Sequence, residues 1–141
     1  MERMRIDRDW ALMSTAGIWA RRSTCLRRKV GAVIAQENRI ISQGYNGAPS
    51  GKPHCTPETC NDDNPCTNTV HAEINAIAFA ARYGISVEGA TLYTTLAPCL
   101  NCSKAMINSG IKKVVYLDTY RDLSGIELLR DSGVSILKLH P

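Results

Sequence analysis

The stretch His71-Ala72-Glu73-Ile74-Asn75-Ala76-Ile77-Ala78-Phe79-Ala80-Ala81-Arg82-Tyr83, closed by Gly84, decides how this chain is built. It is rich in alanine, carries Ile74, Ile77, Ala78 and Ala81 on one stripe and stops at a glycine, which predicts a helix over 71–83. His71 and Glu73 stand two residues apart in its first turn and so point in different directions. Pro98-Cys99-Leu100-Asn101-Cys102 opens a second predicted helix, Cys99 to Ser109, with proline where a helix start tolerates it and Gly110 as the stop. One imidazole and two thiols make the three-ligand set of a catalytic zinc, whose fourth position is left to water. His71, Cys99 and Cys102 are the expected ligands, and Glu73 is the expected general base beside them. A plain reading takes His71 as a cap, Glu73 as a solvated acid and the cysteines as a redox pair. It requires both motifs to open helices by coincidence.

Outward from this pair, the rest of the chain reads as alternating elements. Asp7 to Arg22 places Trp10, Met13, Ala16, Gly17 and Ala20 at helical spacing, ended by Ser23 and Thr24. Val30 to Ala35 and Ile40 to Tyr45 read as strands around the polar turn Glu37-Asn38-Arg39. Thr91 to Thr95, Lys113 to Leu117 and Val134 to Leu139 are three more strands, and Ser124 to Ser132 a helix closed by Gly133. A hairpin followed by strand, helix, strand, helix, strand predicts an α/β fold: a three-layer α-β-α sandwich with a mixed five-stranded sheet. Function is then expected at loops and helix ends.

At 141 residues the chain is long enough for one domain spanning 1–141. With 44% hydrophobic and 21% charged residues it has an ordinary globular composition, which excludes gross disorder. Its longest apolar runs, Val33 to Ala35 and Ile77 to Ala81, are far below the roughly 18 residues of a membrane span. No export signal is evident before Trp10, so a cytoplasmic location is expected and the six cysteines are read as metal ligands or free thiols before disulfides. Lys52 to Thr69 has three prolines, three cysteines and almost no apolar side chain, so a bound ion is the expected source of its order. Cys25, Cys55, Cys60 and Cys66 supply the four ligands of a closed structural zinc, with His54 as an alternative. The run Arg21, Arg22, Arg27, Arg28, Lys29 within a net charge of +4 suits a phosphate.

The chemistry follows from the ligand set. Zinc draws the pKa of its water from roughly 15.7 toward 7, and a neighbouring carboxylate can move that proton to a ring nitrogen and then to a leaving amine. The fitting reaction is hydrolytic removal of an exocyclic amine, and His-x-Glu with Pro-Cys-x-x-Cys is the signature of zinc nucleobase deaminases. From Arg22 to Leu139 the sequence resembles the deoxycytidylate deaminase family of the bacterial and phage type. The matching stretches are Ser23-Thr24-Cys25 with Lys29 to Ile34, Gly44-Tyr45-Asn46-Gly47-Ala48-Pro49-Ser50-Gly51, His71 to Ile77 and Pro98 to Cys102.

The resemblance implies hydrolysis of dCMP to dUMP and ammonia, feeding thymidylate synthesis. It gives Glu73 the protonation of cytosine N3, Asn46 a hydrogen bond to the sugar hydroxyl, and the backbone around Ala72 and Thr95 to Ala97 the ring edge. The 5′-phosphate falls to Arg27 or Arg28 and to Tyr120. It further implies activation by dCTP and inhibition by dTTP, each with Mg2+, at a site around Asn46, Gly47, Ala48, Gly51, Asn68 and Val70 in a homo-hexamer. It also agrees with a second, structural zinc, although the loop between Gly51 and His71 is shorter than in some phage relatives.

Rival readings are a tRNA-adenosine deaminase, a free cytidine or cytosine deaminase, and a zinc-stabilised nucleic-acid-binding module. Only 6% aromatic residues and a chain ending just past its last strand give little material for stacked RNA, so no nucleic-acid partner is expected. A purely structural zinc has no use for Glu73.

Overall fold

The computed structural model describes residues 4–60 and 68–140. Its elements run α1 (Arg8–Ala20), β1 (Gly31–Gln36), β2 (Arg39–Tyr45), α2 (Ala72–Arg82), β3 (Thr91–Leu96), α3 (Leu100–Asn108), β4 (Lys113–Asp118), α4 (Ser124–Asp131) and β5 (Ser135–Lys138). The five strands form one sheet in the order β2-β1-β3-β4-β5. β1 is antiparallel to both β2 and β3, whereas β3, β4 and β5 are mutually parallel, which makes the sheet mixed as expected.

Period-two alternation divides the core between the sheet faces. Val33, Ala35, Tyr93 and Val115 face α1 and pack with Leu12, Met13 and Ala16. Ala32, Ile34, Leu92 and Val114 face the opposite way and pack with Ala76 and Ala80 of α2, Met106 of α3 and Leu129 of α4. β1 and β4 are therefore apolar through their middles, as strands covered on both sides tend to be, whereas β3 between them also carries Thr91, Thr94 and Thr95. These two cores join the three predicted layers.

Local chemistry fixes the element ends. Asp7 caps α1 by accepting from Asp9 N–H at 3.0 Å, and that helix stops at Ala20, two residues earlier than its sequence pattern suggests. The hairpin turns on Glu37 and Asn38, both with positive φ, so the two-residue turn twists with its strands and Arg39 already belongs to β2. At Gly44 a Cβ would lie 2.5 Å from Ala72 O and 2.7 Å from Ala76 N. Only glycine lets β2 come this close to the first turn of α2, and that contact positions His71 and Glu73. No described helix is long and apolar enough to cross a membrane.

Candidate active site

His71 and Cys99 are the N-caps of α2 and α3, not their first helical residues. The His71 side chain makes no capping bond, which leaves its ring for another partner. Cys99 Sγ accepts from Cys102 N–H at 3.4 Å, so the helix start stabilises a thiolate there. His71 Nδ1 lies 3.2 Å from Cys102 Sγ and 3.5 Å from Cys99 Sγ, and all three donor atoms fall within 4.8 Å of one another. Tetrahedral zinc, with nitrogen at roughly 2.05 Å and sulfur at about 2.3 Å, sets such donors roughly 3.5 to 3.8 Å apart. The three side chains fit that ion. They are the one such donor group among the described residues.

Glu73 stands outside the donor group, 4% exposed, on the wall of the cavity that His71 and Cys99 also line. Burial raises its carboxyl from 4.5 to about 7, an effect that the neighbouring backbone bond and the His71 charge oppose. The thiols diverge: the Cys102 bond draws Cys99 down to about 4, while the same bond and desolvation push Cys102 up.

The cavity encloses about 210 Å³, below the roughly 300–1,000 Å³ of sites for drug-sized ligands and suited to a single base or nucleoside. Ala72, Ala97, Asn46, Arg28 and Tyr120 are among the residues that line it. The Arg28 guanidinium lies 5.8 Å from the centre of the Tyr120 ring. Thr95 does not reach the cavity; its Oγ1 accepts from Gly31 N–H at 3.2 Å, and Leu96 takes its place on the wall. Arg27 is not part of the lining either.

Other expected sites are rearranged. Cys25 lies buried in the wall of the catalytic cavity, whereas Cys55 lines a different one with its Sγ 3.8 Å from Thr69 Oγ1. Cys25, Cys55, Cys60 and His54 do not assemble a group of three donors among the described residues, and Cys66 lies outside those residues. The six residues expected to bind an effector are likewise divided. Asn46 faces the catalytic cavity, Gly47, Ala48 and Gly51 line a second one with Lys52 and His54, and Asn68 lines a third that shares Ala48. Val70 bridges to Gly47 through two backbone bonds, of 3.2 and 2.8 Å, directly before His71. Val30, Thr69 and Leu96 complete the catalytic wall. Their sequence gave no signal, because small apolar and hydroxyl residues at strand ends look like core.

A mixed sheet presenting an imidazole, two thiols and a buried carboxyl at two helix starts defines a zinc-dependent deaminase. The family model for the cytidine and deoxycytidylate deaminase zinc-binding region matches residues 6–118, and the chain belongs to that family. It is 40% identical over 134 residues to ComE operon protein 2 of Bacillus subtilis (strain 168), covering 94% of this chain and 71% of that protein. It is 36% identical over 169 residues to the deoxycytidylate deaminase of Enterobacteria phage T2, covering 91% and 90%. Among solved structures, the dCMP deaminase of cyanophage S-TIM5 in complex with dCMP and dUMP superposes with a TM-score of 0.88 at 36% identity, covering 97% of this chain and all of that one.

Proposed function

We propose that the chain, acting as one domain, hydrolyses dCMP to dUMP and ammonia. The observation that carries this reading is that Glu73, buried and outside the donor group, shares one small cavity with Arg28 and Tyr120. Relatives named for this reaction support the substrate.

When bound by His71, Cys99 and Cys102, zinc supplies an acidified water at its open fourth position. Glu73 takes up a proton on its carboxylate, gives it to N3 of the cytosine ring and then serves the departing C4 amine. Burial raises the carboxyl above its ordinary value, which favours its taking up that proton. Ala72 and Ala97 confine the ring at their ends of α2 and β3. Asn46 retains one N–H for the sugar hydroxyl, because its other amide hydrogen is engaged by Arg28 O. Arg28 and Tyr120, at the same wall, take the 5′-phosphate as charge and hydroxyl donor.

The second cavity, with Gly47, Ala48, Gly51, Lys52 and His54 on its wall, is the proposed place for dCTP or dTTP with Mg2+. The Gly47–Val70 bridge would carry its state to His71. Assembly as a homo-hexamer and work in a reducing cytoplasm, where thiols persist, belong to the same proposal.

The test is a panel of dCMP, CMP, deoxycytidine and tRNA, each with and without dCTP or dTTP. Release of ammonia from dCMP far above the rest is expected. Turnover of tRNA, or equal turnover of deoxycytidine and dCMP, overturns the reading.

A further inference from the structure

Asn46 has the most heavily used amide in the catalytic wall. Its Oδ1 accepts from Val30 N–H at 2.8 Å and its Nδ2 donates to Arg28 O at 2.7 Å, so the carboxamide grips the backbone on both sides of Lys29. Only the oxygen can receive an amide hydrogen and only the NH2 can meet a carbonyl, which fixes the orientation of the group. The main chain of Asn46 reinforces the grip: its N–H donates to Val30 O at 3.2 Å, and its carbonyl accepts from Ser23 Oγ at 2.9 Å. Asn46, Ser23 and Val30 are all buried.

The segment being held buries none of its side chains. Leu26, Arg27, Arg28 and Lys29 are all exposed and lie in no helix or strand, so no buried apolar side chain pins this stretch between Cys25 and Val30. Arg28 nevertheless lines the catalytic cavity and keeps its guanidinium 5.8 Å from the Tyr120 ring centre. A guanidinium on a loop keeps a defined place only where its own backbone is fixed.

We infer that Asn46 is a positioning residue for phosphate recognition: by clipping the backbone around Lys29 it holds the Arg28 guanidinium in place beside Tyr120. The inference rests on the reading of Arg28 as a 5′-phosphate contact. It is separate from any bond between Asn46 and the sugar, since that bond is common to dCMP and deoxycytidine and cancels from their ratio.

The measurement is the ratio of kcat/KM for dCMP to kcat/KM for deoxycytidine in the zinc-loaded enzyme, across wild type, Asn46→Ala, Arg28→Ala and the double variant. Arg28→Ala lowers the ratio if the phosphate reading holds. Asn46→Ala lowers it on the order of tenfold, through KM for dCMP, and produces no further fall in the Arg28→Ala background, the coupling of two residues acting as one unit. If Asn46→Ala fails to fold, Asn46→Asp replaces it in the same cycle, keeping the acceptor toward Val30 and losing the donor toward Arg28. A direct repulsion of phosphate by that carboxylate would persist without Arg28, whereas a positioning effect would vanish. Equal losses on both substrates, or additive losses with Arg28→Ala, overturn the role of Asn46 and leave the phosphate reading intact. An unchanged ratio in Arg28→Ala overturns the phosphate reading itself, and this inference with it.

Discussion

Glu73 is separated from a metal ligand by one residue, yet it does a different job because the first turn of α2 directs it into a buried wall. In the proposed mechanism its carboxyl is the group on which turnover depends. Glu73→Gln keeps the shape and removes the proton, so turnover is expected to fall by at least roughly 10² to 10⁴ while zinc content stays at the wild-type level. Steady-state kinetics beside metal analysis checks both. The same burial leaves a mark on stability. In the zinc-free protein the folded carboxyl titrates near 7 against 4.5 unperturbed, so the stability it contributes is complete below 4.5 and is lost as pH rises through about 7. Gln does not incur that loss. Chelator-treated Glu73→Gln is therefore expected to melt above chelator-treated wild type at pH 8, with the gap closing toward pH 4.5. Thermal unfolding at the two pH values decides it. At this scale His71, Glu73, Cys99 and Cys102 were legible because their meaning lies in spacing of two and three residues. Cys25 lines the catalytic cavity, a placement that a tally of thiols does not reveal. The grip of Asn46 on Arg28 and Val30 spans 18 and 16 residues, beyond any local pattern.

The elements themselves were almost wholly readable, since a chain with both sheet faces covered writes its strands as apolar runs and its helices as stripes. Boundaries moved by a residue or two, as with the caps His71 and Cys99. What no stripe reveals is the distance between elements, and two glycines expose it. Gly44→Ala would drive a methyl into the backbone of α2 at Ala72 and Ala76, so a loss of about 1–3 kcal/mol is expected, with zinc released at lower chelator concentration because His71 moves with its helix. Gly17→Ala, with nothing within 4 Å of the new carbon, is expected to stabilise α1 by about 0.5–1 kcal/mol and leave zinc retention unchanged. Denaturant midpoints and a chelator titration of the two variants separate a close approach from a mere loss of flexibility.

In the whole molecule the metal joins the starts of two helices that belong to successive α/β units. α2 and α3 pack on the same sheet face, and their N-termini bring together an imidazole and two thiols that sequence places 28 and 31 residues apart. Removing zinc takes away the ion that ties the two helix starts together, so chelation is expected to lower the melting temperature of the wild type and to have a much smaller effect on a Cys99→Ala, Cys102→Ala variant. Calorimetry with and without chelator reads this directly. The most direct test of the site is an anomalous difference map at the zinc edge from crystals of the zinc-loaded protein. The expected peak lies about 2.0–2.1 Å from His71 Nδ1 and about 2.3 Å from each of Cys99 Sγ and Cys102 Sγ, with the Glu73 carboxylate beyond bonding distance. A Glu73 oxygen at about 2.0–2.2 Å from the ion, or a Cys99–Cys102 disulfide with no peak beside it, would contradict the account.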